Sequence, residues 1–187
     1  MMIVLAASMI ALLVAAPGAK QDADPASAQS AAIQPAPKAS PCIGDAYHQF
    51  DFWIGEWDVF RNDSDVQVAT SRIESLYGGC AIRENWMPFR GTGGGSLSNY
   101  DSDARSWRQA WVDSSGTRVD FSGGLSGETM VLTGLWPNLL GSGRDALVRM
   151  QYSLQPDGSV RQHGEQSTDF GLSWQPSFDF IYRRRPG

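Results

Sequence analysis

The spacing of apolar residues changes at Gly55. Before it, Tyr47, Phe50, Trp53 and Ile54 recur at helical intervals; after it, Trp57 and Val59 alternate with Glu56 and Asp58. The change predicts a short helix over 47–54, a glycine break and the first strand of a sheet. The rest of the chain then reads as short alternating segments. They fall at 56–61, 66–77, 80–87, 95–100, 106–113, 117–122, 128–135, 146–154, 159–168 and 172–183. Turn chemistry separates them: Asn62-Asp63-Ser64, Gly78-Gly79, Ser115-Gly116, Gly123-Gly124 and Pro156-Asp157-Gly158. A longer loop covers 137–143, and no helical periodicity of useful length follows Ile54. About ten sequential strands joined by hairpins predict an all-β, antiparallel up-and-down barrel capped by one short N-terminal helix. Closure removes exposed sheet edges. A sandwich is the alternative.

Alternation also sorts the strands into faces. On the third, Ile82, Glu84 and Trp86 oppose Ala81, Arg83, Asn85 and Met87. On the fifth, Trp107, Gln109, Trp111 and Asp113 oppose Arg108, Ala110 and Val112. A strand face that carries tryptophan beside Glu or Gln suits a barrel lumen, with aromatic walls for contact and a few polar groups for orientation. Glu84, Trp86, Gln109, Trp111 and Asp113 are therefore candidate ligand-binding residues. Arg149, which alternates with Val148 and Met150 on the eighth strand, is added to the lining. The competing reading is a barrel filled by its own side chains, with Glu84 paired to an arginine.

Composition narrows the partners. The net charge of -5 argues against nucleic acid and anionic membranes, which need basic surfaces. Lys20 and Lys38 are the two lysines, and thirteen arginines follow Cys42. Schiff-base chemistry and a phosphate-loop lysine are thus excluded from the folded part. There is no G-x-S-x-G or H-E-x-x-H motif, and the two histidines, His48 and His163, stand far apart. We expect neither metal nor cofactor.

The first sixteen residues are apolar except for Ser8, and small residues follow to Ala19. This run suits a signal peptide over 1–19, with a retained membrane anchor as the alternative. Residues 20–41 are rich in Ala, Pro, Gln and Ser and are expected to form a disordered tether, leaving 42–187 as the barrel domain. The expected location is periplasmic or secreted, without stable membrane insertion after signal removal. Two cysteines remain, Cys42 and Cys80. An even number in an exported chain suggests a disulfide, closing a loop worth about 3–4 kcal/mol. The alternative is two unpaired small apolar residues.

Gly55-Glu56-Trp57, between a short helix and a first strand, resembles the G-x-W start of calycin-type barrels, the lipocalin, nitrobindin and fatty-acid-binding kinds among them. The longer string FDFWIGEWDV is similar to that of a family of small exported bacterial proteins. GGCAIRENW, WRQAWVDSSG, LSGETMVLTG and the closing FDFIYRRR share its look. The resemblance spans nearly all of 42–185. It implies a calycin-like barrel and brings no established activity. In lipocalins the motif tryptophan packs under an arginine from the last strands. Trp57 matches that position with Gly55 before it, and Arg183 is the candidate partner, Arg184 the alternative. Nothing in this chain matches the haem-ligating histidine of nitrobindins.

Three functions follow as expectations. The first is an exported module that binds a small, partly apolar molecule. The second is an enzyme using Glu84 or Asp113 as general acid or base, its pKa raised by an aromatic lumen. The third is a structural module of the envelope, with a filled barrel and an exposed apolar patch.

Overall fold

The computed structural model describes residues 42–186. The leader and tether expected over 1–41 lie outside the described residues. Ten antiparallel strands close into one barrel: β1 (Gly55–Arg61), β2 (Gln67–Leu76), β3 (Ala81–Pro88), β4 (Gly94–Asp101), β5 (Ser106–Asp113), β6 (Arg118–Ser126), β7 (Thr129–Trp136), β8 (Ala146–Leu154), β9 (Val160–Ser167) and β10 (Gln175–Arg184). Each pairs with its sequence neighbours, and β10 pairs with β1 to complete the ring. The sandwich alternative is thereby set aside. Among the described residues no helix is long and apolar enough to cross a membrane.

The segment before β1 forms two 3-10 turns, Asp45–His48 and Asp51–Trp53, in place of one continuous helix. Their backbone bonds run from residue i+3 to i: Tyr47 to Gly44, Trp53 to Phe50 and Ile54 to Asp51. Eight residues are too few to offset the cost of nucleating an isolated α-helix, and Phe50, at φ -112°, interrupts the run. The turns still do what the spacing predicts. They press Phe50 and Trp53 into one end of the barrel, where Phe50 stacks on Trp53 with centroids 4.9 Å apart. Trp107, Tyr152 and Tyr182 meet these rings edge-on or tilted, within 6.2 Å. This end is closed by aromatic packing.

Trp57 is fully buried beneath that plug, and its indole N–H donates to the Trp53 carbonyl at 2.9 Å. Its ring is covered by Arg184, whose guanidinium carbon lies 4.5 Å from the ring centroid. Arg183 takes a different role: it sits over Phe60 on the outer face and pairs with Asp65. The expected Arg183 anchor is therefore corrected to Arg184. The cause is register: Trp57 lies directly opposite Arg184 across the β1–β10 pair, and Arg183 opposite Asp58. Gly55 makes room for the contact, since a Cβ there would stand 2.5 Å from the Arg184 guanidinium. That gives the Gly-x-Trp spacing a steric reason.

Two other expectations change. Gly123-Gly124 does not end a strand; β6 runs on to Ser126 and turns at Gly127-Glu128, with Gly127 at φ +60°. A two-residue hairpin needs positive φ there. Gly123 stays in the sheet because a Cβ would collide with the Val131 carbonyl of β7. The last strand starts at Gln175, with Leu172 exposed in the preceding loop.

Cys42 and Cys80 form a disulfide, with Cα atoms 5.1 Å apart and a sequence separation of 38. It ties the start of the plug to the β2–β3 turn. Loop entropy puts its loss at about 4 kcal/mol. The double variant Cys42→Ser/Cys80→Ser is expected to unfold at correspondingly lower denaturant. Thiol labelling of the unreduced, unfolded protein should mark neither cysteine; two labelled cysteines would rule the bridge out.

Candidate functional site in the barrel lumen

The end opposite the plug is open. Inside it lies a cavity of about 350 Å³, flanked outward by a second of about 700 Å³. The two share Trp86, Thr92, Phe178 and Phe180, so the outer one serves as a vestibule between the β1–β2 turn, the β3–β4 loop and the start of β10.

Glu84, Trp86, Gln109, Trp111 and Asp113 all line the inner cavity. Alternation on β3 and β5 put each pair on one face, and that face is the inner one. Arg149 does not join them. It lies outside on β8, donating to Glu165 of β9 at 3.0 and 2.7 Å, and its guanidinium stacks on Trp174 at 4.1 Å. Gln151 donates to the same carboxylate. The inward face of β8 is the apolar one, Val148, Met150 and Tyr152. An inward arginine would have been desolvated, whereas the outer position offers a cross-strand carboxylate.

Tertiary pairing brings in residues that the faces of β3 and β5 alone do not reveal. Phe178, Phe180 and Tyr182 come from β10, Tyr152 and Met150 from β8, Gln162 from β9 and Trp136 from β7. A signal for several was present. On β9, Gln162 alternates with Arg161, His163 and Glu165; on β10, the three rings alternate with Asp179, Ile181 and Arg183. The rings form two walls. Trp86 packs against Phe180 and Tyr182 at 5.7 and 6.3 Å, and Phe180 stacks on Phe178 at 5.4 Å. Trp136 meets Trp111 and Phe121 at 6.4 and 6.3 Å. Gly164 of β9 lets Phe178 lie inward, because a Cβ there would overlap its ring.

The polar floor is held by hydrogen bonds set by register. Ser96 faces Glu84 across β3–β4, and its hydroxyl donates to the carboxylate at 3.0 Å. Ser98 faces Gln109 across β4–β5 and accepts from its amide at 3.0 Å. Tyr182 donates to the Gln162 carbonyl at 2.6 Å, and the Gln162 amide donates to the Tyr152 hydroxyl at 2.9 Å. Burial drives both phenols well above their ordinary pKa, and the Glu84 charge adds to this.

Glu84 is only 6% exposed. Burial pushes its carboxyl up to about 7, against the opposing effect of the Ser96 and Ser71 hydroxyls. The arginine partner weighed for it is not there. Asp113 behaves oppositely. Burial raises it, but the Ser115 hydroxyl and the Ser115 and Thr117 backbone N–H groups hold it below the usual carboxylate range. It organises the β5–β6 turn at the cavity rim. Of the two carboxylates considered for acid–base work, only Glu84 has the proton affinity that work needs.

His163 faces outward on β9, 3.6 Å from the Asp179 carboxylate beside the vestibule. Among the described residues no group of three or more His, Cys, Asp or Glu side chains is placed to hold a metal ion. Neither a scan against protein-family models nor a search of curated proteins finds a match for this chain.

Proposed function

We propose that the protein is an exported carrier or sensor that holds a small, partly apolar molecule in the barrel lumen. The observation that carries this reading is the unfilled cavity itself. A barrel that serves only as a scaffold packs its interior with its own side chains. Here the closed end is packed, while beyond it about 350 Å³ stays open between aromatic walls and a polar floor. That size and mixture suit a small-molecule site. The resemblance to lipocalin-type and fatty-acid-binding barrels supports the same reading. The disulfide and the leader-like first nineteen residues support export.

The test is native mass spectrometry of protein purified from its own host. Retained mass that disappears on unfolding is the expected result. In parallel, ligand titration should quench intrinsic tryptophan fluorescence, and Trp86→Phe and Trp111→Phe should each weaken binding several-fold by removing contact area. Identical affinity in both variants would place the ligand outside the lumen.

A second reading is supported by one observation, the near-neutral proton affinity of Glu84. A carboxyl that gains and loses a proton near pH 7 suits general acid–base catalysis on a molecule held in the same cavity. Chemical change of a retained ligand, lost in Glu84→Gln while binding persists, would distinguish enzyme from carrier.

A further inference from the structure

We infer that the lumen selects an organic cation: an amine or ammonium group on a small apolar body, seated against Glu84 between the aromatic walls. This rests on the reading of the lumen as a ligand site and specifies the chemistry of what it takes.

The lining carries two carboxylates, Glu84 in the interior and Asp113 at the rim, and no arginine, lysine or histidine. The chain does not lack cations, since thirteen arginines follow Cys42. Most of those on the barrel wall lie in ion pairs with Asp or Glu on the outer surface, as Arg83 does with Glu74, Arg149 with Glu165 and Arg161 with Asp179, while Arg184 covers Trp57 at the closed end. A site for a fatty acid or another anion would set a basic group against the ligand's charge. This one would set a carboxylate there.

Eight of the fourteen lining residues are aromatic. Ring faces attract a cation through their quadrupole, most strongly where water is excluded. A neutral apolar ligand would use the rings but offer no counter-charge to Glu84, which the Ser96 hydroxyl bonds without neutralising. An ammonium group satisfies both features, supplying the missing counter-charge and filling the space between rings. The vestibule carries both signs, Arg61 and Arg90 against Asp63 and Asp179, so discrimination falls to the inner chamber.

The titratable groups that face Glu84 are Tyr152 of β8 and Tyr182 of β10, both kept protonated by burial. The other near neighbours are the neutral Ser71 of β2 and Ser96 of β4, while Asp113 of β5 stays ionised at the rim. Glu84 is thus the group of the inner lining whose charge changes near neutral pH. Cation affinity should rise as pH rises through about 7, where its carboxyl ionises.

Calorimetric titration with three probes of matched shape tests this: 2-phenylethylamine, 2-phenylethanol and 3-phenylpropanoate. At pH 8 the amine should bind at least about tenfold tighter than the alcohol, and the carboxylate weakest. Amine affinity should fall below pH 6, and Glu84→Gln should bring amine and alcohol level. Equal or tighter binding of the alcohol or the carboxylate by wild type would overturn the cation while leaving the ligand site standing. Failure of all three to bind would overturn both. If Glu84→Gln does not fold, probe ranking and pH profile in wild type still decide.

Discussion

Trp57→Ala is expected to lower the unfolding free energy by about 3–5 kcal/mol, the range for a large aromatic lost from a core. Trp57 makes three contacts, two with β10 and one with the plug. Its ring is edge-on to Tyr182, it lies under Arg184, and its N–H ties β1 to the plug through the Trp53 carbonyl. Removing it leaves a cavity in the closed end and exposes Arg184 to the loss of its ring partner. Denaturant unfolding measures the change. A shift worth less than about 1 kcal/mol, the scale of surface substitutions, would show that Trp57 is no anchor. Arg183→Ala serves as the contrast. That side chain lies on the outside with an exposed partner in Asp65, so its loss should be small.

A second large effect is expected for Glu84, and it depends on pH. In the unfolded chain its pKa is near 4.5; in the folded protein burial lifts it to about 7. Between those values the native state binds the extra proton, so stability from this group falls as pH rises through the window. The full cost, about 3 kcal/mol for a shift of this size, is present above pH 7 and absent below about pH 4.5. Glu84→Gln removes the titration. The variant should match wild type near pH 4 and exceed it by up to about 3 kcal/mol at pH 8 to 9. Carboxylates whose pKa is lowered, such as Asp113 and Asp169, change stability in the acid range and do so equally in both proteins. The difference between the two pH curves therefore isolates Glu84. Parallel curves from pH 5 to 9 would mean that its carboxyl is not buried uncharged. An organic cation in the lumen would act in the opposite sense, stabilising the ionised form and raising wild-type stability at high pH.

Trp57 and Glu84 both border Tyr182, one in the packed layer and the other on the floor of the open chamber, and the two ends of the barrel suit different roles. The closed end is a packed aromatic plug stapled by the disulfide. The open end sets its rings in two walls, and its polar groups bonded to one another, around free space. Ser96 and Ser98 show how the floor is arranged. Both are small inward residues on β4, and register sets each beside a larger polar side chain from the neighbouring strand. They satisfy Glu84 and Gln109 without filling the chamber.

Much of this arrangement is local and hence readable from the chain. Strand alternation has a period of two, so residues that share a face are known once a strand is recognised. Glu84 with Trp86, and Gln109 with Trp111, follow from this alone. The change of period at Gly55 likewise marks where the plug ends and the barrel begins. Alternation does not say which face turns inward, and that depends on the partners each face meets. Arg149 belongs outside because Glu165 stands opposite it on β9, sixteen residues on, and Gln151 reaches the same carboxylate. The partner of Trp57 is still less local. Arg183 and Arg184 are neighbours in sequence, and the choice between them depends on how β10 pairs with β1 when the ring closes. Gly123 and Gly124 carry the composition of a turn, yet both pair with β7 inside the sheet, and at Gly123 the Val131 carbonyl leaves no room for a Cβ. The open chamber and the neutral-range carboxyl are likewise tertiary properties. Each depends on the summed volume and desolvation contributed by many strands at once, seven of them lining the chamber, which the order of residues along any one strand does not contain.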